Sequence, residues 1–299
     1  MEKPMDRTGS SIALGRFRVG PGSPCLIVAE VSCNHRGRFS EALDLVFLAH
    51  QAGADAVKFQ HFDPLEMAPV GRVLDSGLWA GRELRDLYRE AETPAGWLPS
   101  LFAQAEGLGL LAFSSVAHLA GADYLASIGA PCYKVASFEL TAEPLLAHLS
   151  GKGLPVILST GMASDPEIRR AIDLLYPCPV VLLHCVSAYP TPLSHANLPR
   201  IAELGQNFSR PVGLSWHNRS PAPPVVAAAF GIAVLEVHLT ASHRNPTLDD
   251  TFSYDPGEFA QLVRLVRDAE SLGCRNRAEV EAPQRALRRP AAGGPRGWA

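Results

Sequence analysis

Between Pro211 and Thr240 the chain reads PVGLSWHNRSPAPPVVAAAFGIAVLEVHLT. Two apolar runs, Val212 to Ser215 and Ala233 to Leu239, each end at a histidine, and an Ala/Val-rich segment of helical character separates them. Runs of that length without polar alternation suit strands covered on both faces, as in a parallel sheet with helical crossovers. His217 and His238 are then expected at the ends of neighbouring strands, where two converging imidazoles can hold a divalent metal. Either histidine alone would more often be an ordinary hydrogen-bonded residue; the pair turns the reading towards ligands.

Working outward, the same phrase recurs. AGADAVKFQ, IGAPCYKVAS and FGIAVLEVHLT each show a helix-ending glycine, a short link, an apolar strand and a polar residue at its end, with Lys58, Lys134 and Glu236 in equivalent places. A repeated helix-Gly-strand-polar unit describes a (β/α)8 TIM barrel whose strand ends face a common rim. The 299 residues suit such a barrel, which typically needs ~250.

Read in order, a polar tail covers residues 1–10, and SIALGRFRV (11–19) alternates as a short hairpin. The barrel domain spans 11–273. Its strands are expected at Cys25–Val31, Asp55–Gln60, Leu110–Ser114, Cys132–Val135, Pro155–Ser159 and Val180–Cys185, followed by the two around His217 and His238. Helices are expected at Phe39–Gln51, stopping at Gly53, and at Pro94–Gly107, His118–Ser127, Ala142–Ser150, Asp165–Tyr176, Asn197–Gly205 and Pro256–Gly273. Residues 63–93 interrupt the pattern with a charged helix, Gly81–Glu92, that reads as a lid or an oligomer contact. Residues 274–299 are rich in Arg, Pro, Ala and Gly without apolar periodicity and read as a flexible tail.

A net charge of −3 gives no nucleic-acid footprint, so any anionic ligand must be held by local groups. Six cysteines without a C-x-x-C pair are the usage of reduced, buried thiols in a cytoplasmic protein. The N-terminus has no signal-peptide core, and no run approaches a membrane span.

The strand ends supply Glu30, Lys58 with Gln60, Ser115, Lys134 with Ser137 and Glu139, Ser159 with Thr160, Ser187 with Tyr189, Ser215 with His217, and His238 with Thr240. Two lysines on separate strands, with hydroxyls and Gly161 nearby, suit a phosphate or a carboxylate. One such lysine would as readily form a surface salt bridge, but two inside a repeated apolar motif require an anionic partner, because burying an unpaired ammonium is costly. Glu30 and Glu139 are either proton-transfer groups or partners of those lysines. From the residues alone, the chain is a metal-assisted enzyme acting on an anionic, phosphorylated small molecule.

IVAEVSCNH, GADAVKFQ, YKVASFELTAEPLL, GLPVILSTGMAS, LLHCVSAYPTP, PVGLSWH and LEVHLT, in this order and spacing from about Leu26 to Leu272, resemble the sialic acid synthase family. The resemblance implies a barrel that condenses phosphoenolpyruvate with an open-chain aldose similar to N-acetylmannosamine, giving a nonulosonic 2-keto-3-deoxy acid and phosphate. It assigns Lys58, Lys134, Ser137, Ser159 and Ser215 to phosphoenolpyruvate, with Ser115 and Ser187 as further polar positions of that pocket. It also assigns His217 and His238 to a divalent metal, manganese with magnesium or cobalt as alternatives. Glu30, Gln60, Tyr189 and Asp249 fall on the sugar side, and Glu139 near the pyruvyl carbon, suited to handling the attacking water.

The chain departs from the family pattern at several places. Trp216 stands where Asp is common, putting an indole beside a metal ligand, and Asn218 stands where Thr is usual. A G-P-D-H segment becomes Thr247, Leu248, Asp249 and Asp250, and Phe138 replaces a glycine, narrowing the pocket. The family's C-terminal antifreeze-like domain, which completes a neighbour's site in a homodimer, is expected to be absent or supplied by another chain. These departures leave open a different aldose or small aldehyde as acceptor, or a degenerate barrel that binds without turnover. A metal-dependent hydrolase or lyase would need more carboxylates beside the two histidines than the sequence offers. His35, His61, His118, His184, His195 and His243 read as structural or surface residues.

Overall fold

The computed structural model describes residues 10–273; the two tails, with Cys274, lie outside the described residues. A two-stranded antiparallel hairpin, β1 (Ile12–Leu14) and β2 (Phe17–Val19), precedes the barrel. The barrel strands are β3 (Leu26–Glu30), β4 (Ala56–His61), β5 (Leu111–Val116), β6 (Tyr133–Val135), β7 (Val156–Ser159), β8 (Val180–His184), β9 (Val212–Trp216) and β10 (Val234–His238). They close in sequence order, all parallel, with β10 returning to β3.

Helices cross over outside: α1 (Phe39–Gln51), α4 (Leu98–Gly107), α5 (Leu119–Ser127), α6 (Glu143–Ser150), α7 (Asp165–Leu175), α8 (Pro199–Phe208), α9 (Ala222–Ala229) and α10 (Pro256–Gly273). The insertion after β4 carries α2 (Pro64–Met67) and α3 (Leu84–Ala91). Three expected helices differ at their ends, α3 starting at Leu84 rather than Gly81. Pro99 fits only a first helical turn, so α4 starts at Leu98 after a 3₁₀ turn, Ala95–Trp97. α8 starts at Pro199 and runs past Gly205 to Phe208, where Ser209 takes a left-handed conformation (φ 52°).

Although the strands are buried on both faces, their side chains still alternate, and this divides the core in two. Val57, Phe59, Leu158, Leu182, Leu214, Trp216, Leu235 and Val237 point outward and pack under the helices. Val28, Ala56, Phe113, Ile157, Val181, Leu183 and Val234 point inward and fill the barrel, where they meet Ile12, Leu14 and Val19 of the hairpin. The hairpin therefore plugs the barrel at the N-terminal ends of the strands. The C-terminal ends are left as the mouth, the face on which such barrels place their sites.

Gly213, on the inner face of β9, leaves room for its neighbours: a Cβ there would lie 2.3 Å from the Val234 carbonyl oxygen and 2.6 Å from Leu183 Cδ2. Because backbone cannot yield as a side-chain tip can, Gly213→Ala is expected to destabilise by ~1–3 kcal/mol or more, read as a lower denaturant midpoint. An unchanged midpoint would show that the barrel interior is not filled as described.

Candidate active site

Register brings the polar strand ends together. His238 pairs with Glu30, Glu30 with Lys58, Gln60 with Ser115, Ser115 with Lys134, and Glu236 with Ser215. Since all are inward positions of parallel strands, their side chains converge over one mouth.

At its centre lies a buried charge network. Lys58 (5% exposed) forms an ion pair with Glu30, and its Nζ lies 3.7 Å from Glu236 Oε1. Burial works against the Lys58 ammonium, but the Glu236 and Glu30 carboxylates outweigh it and hold its pKa above the ordinary lysine value. Glu236 accepts a hydrogen bond from Ser215 Oγ (3.1 Å). Burial opposes its ionisation as well, but Lys134 and Lys58 prevail and keep it well below the usual carboxylate range. Lys134 (2% exposed) is differently placed. Its Nζ donates to Ser159 Oγ at 2.7 Å and to the Val135 carbonyl at 3.3 Å, and no carboxylate among the described residues lies within ion-pair distance. Burial lowers its pKa, with Glu236 opposing.

Next to Lys134 is a small cradle. Gly161 N–H donates to Ser137 Oγ at 3.0 Å. A Cβ on Gly161 would lie 2.8 Å from Ser187 Oγ, 2.9 Å from Cys185 Sγ and 2.9 Å from Ser137 Oγ, so only glycine leaves this space open. Ser187 Oγ is buried without a hydrogen-bond partner. Ser115 is half-buried, its Oγ 3.4 Å from the Phe59 carbonyl. Half-buried Glu139, in the turn after β6, has its pKa raised by burial, partly offset by Lys134.

The histidines occupy the other side. The rings of His217 and His238 are 5.6 Å apart. His217 Nδ1 faces the Val186 carbonyl at 3.2 Å, which requires a proton on Nδ1 and turns the Nε2 lone pair inward. Burial, then the neighbouring His238, pushes the His217 pKa down to about 3, so the imidazole is neutral. His238 Nδ1 lies 3.3 Å from Asp249 Oδ2, and Asp249 also accepts from Ser32 Oγ. Gln60 Nε2 donates to Ser32 Oγ (2.8 Å) and lies 3.5 Å from Glu30 Oε1. The neutral His217 imidazole with its oriented tautomer, the His238 ring beside it and a buried Glu236 oxygen without a partner fit a divalent cation.

The strand-end residues Glu30, Lys58, Gln60, Ser115, Lys134, Ser159, Ser215, His217 and His238 thus gather at this mouth, with Ser137, Ser187 and Asp249 against them. Two expectations are corrected. Trp216 does not stand over the histidines: strand alternation turns it outward into the barrel–helix layer, where its Nε1 donates to the Ser220 carbonyl at 3.0 Å. Phe138 is 61% exposed and stands at the surface rather than filling the pocket.

Other residues were missed. Glu236 was noted only as an equivalent of the lysines. Phe252, with its ring 4.9 Å from His238, and Trp79, whose ring is 5.8 Å from Tyr189, carry no sequence signal because loops bring them in. Tyr189 in turn lies 4.5 Å from the His217 ring. His243, read as structural or surface, is half-buried and held by carboxylates. With Asp255 and Glu258 it forms a group whose ligand atoms lie within 4.8 Å of one another, donor types that can take a divalent cation. There its Nδ1 lies 3.1 Å from Asp250 and its Nε2 3.2 Å from Glu258, while Glu258 is also paired with Arg219. The five described cysteines are all buried and free, as expected.

A plugged parallel barrel with a buried ammonium, a hydroxyl-lined cradle and an imidazole pair at its open end defines an enzyme of the (β/α)8 class suited to an anionic substrate. A model of the NeuB family matches residues 45–277. Pseudaminic acid synthase of Campylobacter jejuni is 35% identical over 252 residues, 82% of this chain and 74% of that protein. N,N'-diacetyllegionaminic acid synthase of Legionella pneumophila is 34% identical over 284 residues, 90% of this chain and 79% of that protein. Among solved structures, the N-acetylneuraminic acid synthetase of Leptospira borgpetersenii superposes with a TM-score of 0.85 at 29% identity, covering 93% of this chain and 96% of that one. The chain belongs to the NeuB family. It is accordingly a phosphoenolpyruvate-dependent, transferase-type enzyme that forms a C–C bond by aldol-type condensation and yields a nonulosonic 2-keto-3-deoxy acid.

Removing one side of a buried ion pair leaves the other uncompensated. Glu236→Gln is therefore expected to cost ~3–5 kcal/mol, measured by chemical denaturation, and adding Lys58→Met should restore part of the loss. Full stability in the single variant would mean that the lysines are not balanced by Glu236.

Proposed function

We propose that the acceptor is an open-chain amino sugar of the N-acetylmannosamine type and that the strand-end residues divide between two substrates. Lys134, Ser137, Ser159 and Ser187, around Gly161, bind the phosphate of phosphoenolpyruvate, with Ser115, Ser215 and Lys58 completing its pocket. His217 and His238 would hold a divalent metal, manganese by resemblance, which supplies Lewis acidity at the aldehyde oxygen. Gln60, Tyr189, Asp249 and Glu30 line the acceptor side.

The observation that carries this reading is Lys134: a buried ammonium with only neutral partners, next to a glycine-made cradle containing an unpartnered hydroxyl. An incoming phosphate supplies the missing counter-charge.

In the reaction, C3 of phosphoenolpyruvate attacks the aldehyde carbon, and the positive charge that develops at C2 is quenched by water. Glu139, whose pKa is raised by burial, is suited to take the proton of that water. The C2–O bond to the bridging oxygen then breaks, phosphate leaves with that oxygen, and the new ketone oxygen comes from water. Lys134 and the hydroxyls hold the phosphate throughout, stabilising its charge by preorganisation.

With manganese and an aldose panel, phosphate release from phosphoenolpyruvate should require an aldehyde acceptor and stop on chelation. Lys134→Met should lower kcat/KM by roughly 10²–10³ while the fold is retained. Bridging ¹⁸O recovered in the ketone instead of the phosphate would exclude C–O cleavage, and no release with any acceptor would exclude the synthase.

A further inference from the structure

The Cys185 thiol stands inside the cradle around Gly161 without a role in the chemistry. Strand alternation carries it inward just past the end of β8, following the inward Val181 and Leu183. It is buried and free. Among the described residues its hydrogen-bond partner is Ser137, with Sγ 3.1 Å from Oγ.

A serine hydroxyl has one proton to donate and two lone pairs with which to accept. Gly161 N–H fills one lone pair of Ser137 at 3.0 Å. One proton and one lone pair remain, and Cys185 can engage either: its S–H can donate to the lone pair, or its sulfur can accept the proton. The choice decides what a ligand meets. With sulfur as acceptor, the open side of Ser137 presents a lone pair; with S–H as donor, it presents the hydroxyl proton. Ionised phosphate oxygens only accept, so a phosphate in the cradle requires the second arrangement. Because Cys185 is buried, the sulfur rather than bulk water completes the hydroxyl's set of bonds.

We propose that Cys185 is a positioning residue for the phosphate of phosphoenolpyruvate: its thiol donates to Ser137 Oγ and so turns the Ser137 proton towards the ligand. This rests on the synthase reading, in which Ser137 belongs to the phosphate pocket. In the empty cradle the Ser137 proton rests on sulfur, a weak acceptor that releases it readily. When phosphate arrives, the O–H and the S–H each rotate, and no proton changes its owner.

The test is calorimetric binding of phosphoenolpyruvate in the presence of manganese, with thermal melting to check the fold of every variant. Cys185→Ala is expected to weaken binding about fivefold, the order of one neutral hydrogen bond. Cys185→Ser, which keeps a donor on the same carbon, should restore most of the loss. Ser137→Ala should weaken binding too, and adding Cys185→Ala to it should cost nothing further, since the thiol then has no hydroxyl to orient. In turnover, Cys185→Ala should raise the KM for phosphoenolpyruvate and leave that for the aldose in place. Additive losses in the double variant, or a serine variant as weak as the alanine one, would reduce the thiol to packing and overturn this inference alone. The expected binding pattern without phosphate release from any acceptor would remove the synthase reading and leave the thiol's role standing. No binding by the unsubstituted protein would overturn both.

Discussion

The burial of opposite charges inside a closed ring of strands is the constraint on which the rest depends. Two ammonium groups and two carboxylates have left water at the barrel mouth, and each charge is tolerable only because the others are there. The match is uneven. Lys58 is fully engaged between Glu30 and Glu236, while Lys134 leans on a hydroxyl and a carbonyl. That imbalance turns a structural network into a binding site, because the cheapest way to complete it is with an anion from solution.

The barrel mouth divides into two unlike halves. The half over β6, β7 and β8 is small, hydroxyl-rich and closed in by neighbours around Gly161. The half over β9, β10 and β3 contains the imidazoles and aromatic rings and is bordered by the insertion, with Trp79 reaching the Leu248 carbonyl. Strand geometry fixes the first half, and loop placement shapes the second. This agrees with a family whose members, as their names state, make different nonulosonic acids.

The division also governs what could be read from the amino-acid order. Strand-end residues were legible because their position follows from the apolar repeat: once Lys58, Lys134 and Glu236 occupied equivalent places, their convergence followed from closure. His217 and His238 were legible for the same reason. The direction of Trp216 was contained in the same alternation, since Ser215 and His217 face inward and the residue between them cannot, yet comparison by motif alone put the indole beside the metal ligand. Phe252 and Trp79 were not legible, because loops have no period and their folded positions depend on contacts distant in the chain. His243 was hidden likewise: its partners Asp250 and Glu258 meet it only after the segment following β10 folds back onto α10.

Ile12, Leu14 and Val19 cap the pole of the barrel opposite the mouth, beneath an interior already filled by inward side chains. Entry and exit therefore share one face, and the loops that border the mouth stand on the path of every ligand.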